Sequence, residues 1–215
     1  CGQVETLNLL AIQYASLGLP VIFFDCAGYR DTKADVFAHA EGLTVKCADL
    51  EVADVDGQHS FRVKGEPVNY LMTNEGSPFL AHWGAQHGSW EKEGDELIHA
   101  SKALLDFVEQ RKLLCAGQPK NIPPLLVVIA NAYGMSSVMG HEFFSSLLKL
   151  SVSAEIRFVY EQQDVNRDAL ESSSDTGSFC IFSCAQVYGA SNSEQDRING
   201  LNVGECLVYS IACSA

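Results

Sequence analysis

Gly2, Gln3 and Val4 stand where a phosphate-binding loop would do its chemistry. Such a loop brings glycine amides onto phosphates, reaches the terminal phosphates with a lysine and holds magnesium through a Ser or Thr hydroxyl. Here a glycine-led turn opens an amphipathic stretch, a Gly-Leu-Pro break follows, and the apolar run "PVIFF" ends in Asp25. The layout is that of a phosphate loop. The lysine and hydroxyl positions fall at Gln3 and Val4, whose side chains supply neither a cation nor an oxygen for magnesium. Gly2 by itself is a weak signal, because many strand-to-helix turns contain one glycine.

Other residue types invite other chemistry. Cys1 followed by Gly2 has the form of an amino-terminal nucleophile, but the folds that use one are antiparallel sandwiches, and the order of elements below argues against that. Ser136, Ser137 and His141 lie close in sequence without the Gly-x-Ser-x-Gly elbow of a hydrolase, and read as a loop entering a helix. The eight cysteines include no paired Cys-x-x-Cys ligands, so they read as reduced thiols, several of them in apolar strand-like stretches, and no metal site is expected. His82 and His87, with Trp83 and Trp90, read as a partly buried loop cluster.

The positioning elements alternate. Glu5 to Ala15 has helical spacing of Leu7, Leu10, Ala11, Tyr14 and Ala15, and "PVIFF" is the continuous apolar run of a strand buried on both faces. "KADVFAHAEG" predicts a helix, "LTVKCADL" a strand, and residues 54–94 an irregular insertion. Asp95 to Leu114 predicts a helix, "PPLLVVIA" a strand, His141 to Leu150 a helix, "EIRFVYEQQ" and "SFCIFSC" strands, "SEQDRING" a short helix and "ECLVYSIAC" a last strand. This alternation predicts an α/β fold with a mostly parallel sheet covered by helices on both faces. The segments Pro20 to Asp25, Leu125 to Ala130, Ile156 to Gln162 and Phe179 to Ser183 are expected in one parallel sheet.

A length of 215 residues suits one domain, 1–215, with 47% hydrophobic and 19% charged residues pointing to a globular chain. The formal charge of -13 opposes a surface that broadly neutralises phosphates, so any nucleic-acid contact must be local. No run reaches the length of a membrane span, and the amino end lacks the order of a signal peptide, which predicts a soluble, cytoplasmic protein.

In order along the chain, "GQVETLNLLAIQYASLGLPVIFFDCAG", "IPPLLVVIANAYG", "FFSSLLKLSVSAEIRFVYEQQDV" and the segment from Thr176 to Ser210 resemble successive motifs of the RecA-like motor domain of the FtsK/HerA superfamily, which includes DNA translocases and type IV secretion coupling ATPases. The resemblance implies a RecA-like P-loop NTPase fold, and implies that the strand preceding the phosphate loop is missing from this chain. It places Gly2, Gln3, Val4, Glu5 and Asp25 at the cofactor, and Asn131 and Gln163 at the catalytic positions. The departures are systematic: the family's acidic pair corresponds to Ala130 and Asn131, its turn arginine to Val152, and the Pro-Lys after its second strand to Cys26 and Ala27. Phosphoryl transfer depends on placed positive charge, magnesium and a water-orienting carboxylate.

The resemblance therefore implies a degenerate, pseudo-ATPase subunit or domain of a DNA or protein translocation or secretion motor. ATP and magnesium binding is expected to be weak or absent. Partners are expected to be further copies or an active paralogue in a ring, with nucleic acid or a secreted protein as substrate and no membrane span. The alternatives are an active ATPase of the same family and a small-molecule enzyme using Cys1 or Cys26.

Overall fold

The computed structural model describes residues 3–26, 32–68, 79–85, 90–117, 122–161, 164–166, 178–182, 186–188, 191–200 and 206–210. The chain divides into a larger unit, Leu7–Glu161, and a smaller one comprising Cys1–Thr6 and Gln162–Ala215. The larger unit is an α/β sheet of seven strands, mostly parallel, with helices on both faces.

Helix α1 (Gln3–Ser16) buries Leu7, Ala11, Ile12 and Ala15, one helical stripe, and stops at Gly18, whose φ of 85° suits a residue without a Cβ. Strand β1 (Val21–Asp25) is buried throughout. Helix α2 (Thr32–Gly42) leads to β2 (Lys46–Val55), which turns back antiparallel into β3 (Gln58–Val63) and then β4 (Glu66–Pro67). Strand β5 (Phe79–Gly84), the long helix α3 (Trp90–Gly117) and β6 (Leu125–Ala130) follow. Helices α4 (Ala132–Met139) and α5 (His141–Ser153) lead to β7 (Ile156–Tyr160).

The sheet order is β4-β3-β2-β5-β1-β6-β7, and β2, β5, β1, β6 and β7 run parallel. Alternate residues of the central strands serve opposite faces. Ile22, Phe24, Val127 and Ile129 pack with Leu104 and Phe107 of α3, Met135 of α4 and Leu147 of α5. Val21, Phe23, Leu126 and Val128 pack with the α1 stripe and with Val36 and Ala40 of α2. Both faces being covered, these strands read as unbroken apolar runs.

Arg111 of α3 is fully buried, donating from Nε to the Ala154 carbonyl at 2.8 Å and from Nη2 to the Pro123 carbonyl at 2.6 Å. It ties the approach to β6 to the turn before β7, satisfying carbonyls that no sheet partner takes. Burial lowers its pKa, opposed by Cys115, Glu155 and Tyr14.

Two sequence expectations change. Residues 54–94, expected to be irregular, carry the β2-β3-β4 meander and β5, which lies beside β1 inside the parallel sheet. Its buried His82 stacks on Phe23 at 5.3 Å between ring centroids, so a polar residue does the work of an apolar one and hides the strand's pattern. The expected single parallel sheet also loses a member. In the smaller unit β9 (Ser178–Phe182) pairs antiparallel with β11 (Cys206–Ser210), not with β1, β6 and β7. An apolar run reports burial and carries no information about which strand will pair with it. The same unit holds β8 (Asp164–Asn166) parallel to β10 (Gln186–Tyr188), and helix α6 (Asn192–Asn199). Among the described residues no helix is long and apolar enough to cross a membrane.

Candidate functional site

The path of the chain marks one place on the larger sheet. From β1 the chain moves through α2 to β2, toward one edge, and from β5 it moves through α3 across β1 to β6, toward the other. The two connecting helices cover opposite faces, as crossovers of one hand require when their directions differ. The carboxyl ends of β1 and β6 therefore flank a topological switch point, where open α/β sheets bind ligands.

Asp25 closes β1 and sits in register with Ala130 of β6 and Gly84 of β5. It is 3% exposed. The backbone around it is fixed by three donations: Cys26 N–H to the Ala130 carbonyl at 3.1 Å, Ala85 N–H to the Asp25 carbonyl at 3.1 Å, and Ala132 N–H to the Glu161 carbonyl at 2.8 Å. Asn131 turns the chain from β6 into α4 with φ 56° and ψ 59°, a left-handed conformation that Asn tolerates better than most residues. Its Oδ1 is buried and has no hydrogen-bond partner. Such an acceptor costs about 1–3 kcal/mol to leave unmet, so it favours a ligand that offers a donor. Gly134 lets α4 sit down on the end of β1, since a Cβ there would lie 3.3 Å from the Cys26 carbonyl oxygen.

Cys26 follows Asp25 at the end of β1 and is buried, which holds its thiol in the neutral form. Burial, and after it the adjacent Asp25, push its thiol far above the ordinary range, and the thiolate is the reactive form. Cys47 is likewise raised, by burial and then Glu41, to about 11.

Of the expected site residues, the structure brings Asp25 and Asn131 together at the ends of neighbouring strands. Gln3, Val4 and Glu5 form the first turn of α1, where Glu5 is exposed. Gly2 and Gln163 lie outside the described residues. Ala130, at the first position of the expected acidic pair, is 1% exposed and packs in the core on the α1 and α2 face. Val152, at the turn-arginine position, is an exposed residue of α5. Ser136 and Ser137 lie in α4, not in a loop, and their hydroxyls donate to the carbonyls of Tyr133 and Gly134 one turn back. His82 and Trp83 are buried in β5, not in a loop cluster; Trp90 begins α3, and His87 lies outside the described residues.

A second grouping, far apart in sequence, brings Asp54 of β2, His59 of β3 and His99 of α3 within reach of one another. Sequence spacing alone does not reveal it. The Asp56-Gly57 turn, which sets Asp54 opposite His59, is the signal that would have found two of the three.

No family model, curated protein or solved structure matches the chain.

Proposed function

We propose that the chain is a RecA-like domain of translocase type without nucleotide chemistry of its own, a structural, pseudo-ATPase subunit of a DNA or protein translocation motor. The observation that supports this reading most is the end of β6: at the switch point beside Asp25, the position for a metal-holding carboxylate is the buried Ala130 and the next is the uncharged, left-handed Asn131. The parallel order of β5, β1, β6 and β7 with helices on both faces agrees with such a fold.

The residues present do not fit magnesium. Ala130 supplies no oxygen and its side chain faces the core, while Val4 has no hydroxyl. The strand ends carry the buried Asp25, whose carboxylate disfavours a polyphosphate, and the buried Asn131 amide oxygen, which accepts from a neutral or cationic donor. The cysteine-enzyme reading is disfavoured at Cys26 by its raised, buried thiol.

Calorimetry with Mg-ATP, paired with a phosphate-release assay, tests the proposal. The unmodified chain is expected to bind weakly or not at all and to release no phosphate. Gln3→Lys combined with Val4→Thr, at the first turn of α1, is expected to gain binding without gaining turnover. The lost charge-assisted contacts are each worth about 1.5–3 kcal/mol. Turnover by the unmodified chain would establish the active-ATPase alternative, and no gain in the double variant would show that Gln3 and Val4 do not belong to a disarmed phosphate loop.

A further inference from the structure

Strands β2 and β3 are joined by two residues, Asp56 and Gly57, both with positive φ, 54° and 80°. Such a turn fixes the register, and the register sets Asp54 directly opposite His59 on one face of the hairpin. Helix α3 lies against that face, and its His99 stacks on His59 with ring centroids 4.8 Å apart and planes 24° from parallel. One donor atom from each of Asp54, His59 and His99 falls within 4.8 Å of the other two.

The arrangement leaves one atom unexplained. His59 is only 8% exposed, and its Nδ1 is buried with no hydrogen-bond partner. Nδ1 faces Asp54 Oδ2 at 3.9 Å, too long for a hydrogen bond. The other carboxylate oxygen, Oδ1, is already committed to the Gly57 N–H at 3.0 Å. The turn amide thus holds the carboxylate with Oδ2 directed at the histidine, the kind of supporting contact that orients a metal ligand.

We propose that Asp54, His59 and His99 bind a divalent transition-metal ion of the zinc class, clipping the β2-β3 hairpin to α3. Two imidazoles and one carboxylate suit zinc and its neighbours, not the oxygen-seeking calcium or magnesium. Ligands at about 2.0–2.2 Å from zinc stand closer together than this cluster does, so the metal draws the three inward. Closing the site falls to Asp54, the most exposed of the three, and to the partly buried His99, whose ring must tilt out of the stack to aim its lone pair at the ion, because His59 is buried. Three protein ligands leave a fourth position for water. The site is independent of the β1 and β6 strand ends and of the reading given to them.

The test is titration of the full chain with Zn2+ by calorimetry and with Co2+ by visible absorption. Stoichiometric binding is expected, with cobalt bands of low-symmetry coordination and no intense near-ultraviolet thiolate charge transfer, which separates this site from the cysteines. Zinc is also expected to raise the melting temperature. His99→Phe preserves the ring stack and Asp54→Asn preserves the acceptor for Gly57, and each is expected to weaken zinc binding at least about tenfold. His99→Gln serves if the Phe variant does not fold. Absence of binding, binding unchanged in either variant, or thiolate charge transfer as the only cobalt signal would overturn the proposal.

Discussion

Cys26 shows how a position at a strand end becomes chemically silent and yet measurable. Its thiol is buried beside Asp25, and both circumstances disfavour the thiolate, so its folded-state pKa lies above the unfolded value. A group with a raised folded pKa contributes its stability fully below the unfolded pKa, about 8.5 for a thiol, and loses it as pH rises. The unfolded chain releases the proton first, so alkali favours unfolding. Unfolding free energy is expected to be flat in this group below about pH 8 and to fall by about 1.4 kcal/mol per pH unit above about pH 9. Cys47, raised to about 11, adds a loss of the same sign. Urea denaturation from pH 7 to 10.5 checks this, with Cys26→Ala expected to be less steep by one thiol's share; equal slopes would show that Cys26 ionises freely in the fold. At this scale the sequence was informative about residue type and silent about environment. Asp25 follows an apolar run and Asn131 stands at the second position of the acidic pair that the resemblance implies; they lie at the ends of neighbouring strands, where Asp25 is in register with Ala130. Which of the two covered faces Ala130 takes, that of α1 and α2 or that of α3, is not disclosed by the run "LLVVIA", apolar at every position.

Among the elements, the hairpin and the long helix give opposite expectations for the same substitution. Gly57 has φ 80° with no atom within 4 Å of where a Cβ would stand, so Gly57→Ala meets backbone strain alone, about 1–2 kcal/mol of destabilisation. Gly94 lies inside α3 with equally open space, and Gly94→Ala removes a costly helix glycine, a gain of about 0.5–1 kcal/mol. Thermal melts of the two variants should therefore move in opposite directions; a stabilised Gly57→Ala would contradict the turn. The Asp-Gly pair between alternating strands is a strong hairpin signal, and it stood in the stretch read as irregular. That stretch was obscured because β5 buries a histidine and a tryptophan where periodicity looks for aliphatic residues. Helices α1 and α3 and strands β1 and β6 were legible because each carries a clear stripe or an unbroken apolar run, while α2 was marked chiefly by its closing Gly42. Helix α4 was not: it has eight residues, a glycine and two serines that bond back to their own backbone.

For the whole molecule the decisive quantity is charge. Each copy carries a formal -13, so bringing copies together is opposed by repulsion that salt screens over about 10 Å at 0.1 M. A subunit of a ring motor must nevertheless meet its neighbours. Self-association, where the proposed reading holds, is then expected to strengthen as salt rises from about 20 mM to about 300 mM, because screening removes the opposing term and leaves apolar burial intact. Nucleic-acid binding has the reverse dependence, since releasing counterions from phosphates is worth less in salt. The two can be separated in one experiment: sedimentation of the chain with and without duplex DNA at both ionic strengths. A mass that grows with salt, with no DNA co-sedimenting at about 300 mM, is the expected result. A chain that stays monomeric at high micromolar concentration across the whole salt range would remove the ring-subunit reading, because no remaining electrostatic barrier could then account for the failure to assemble.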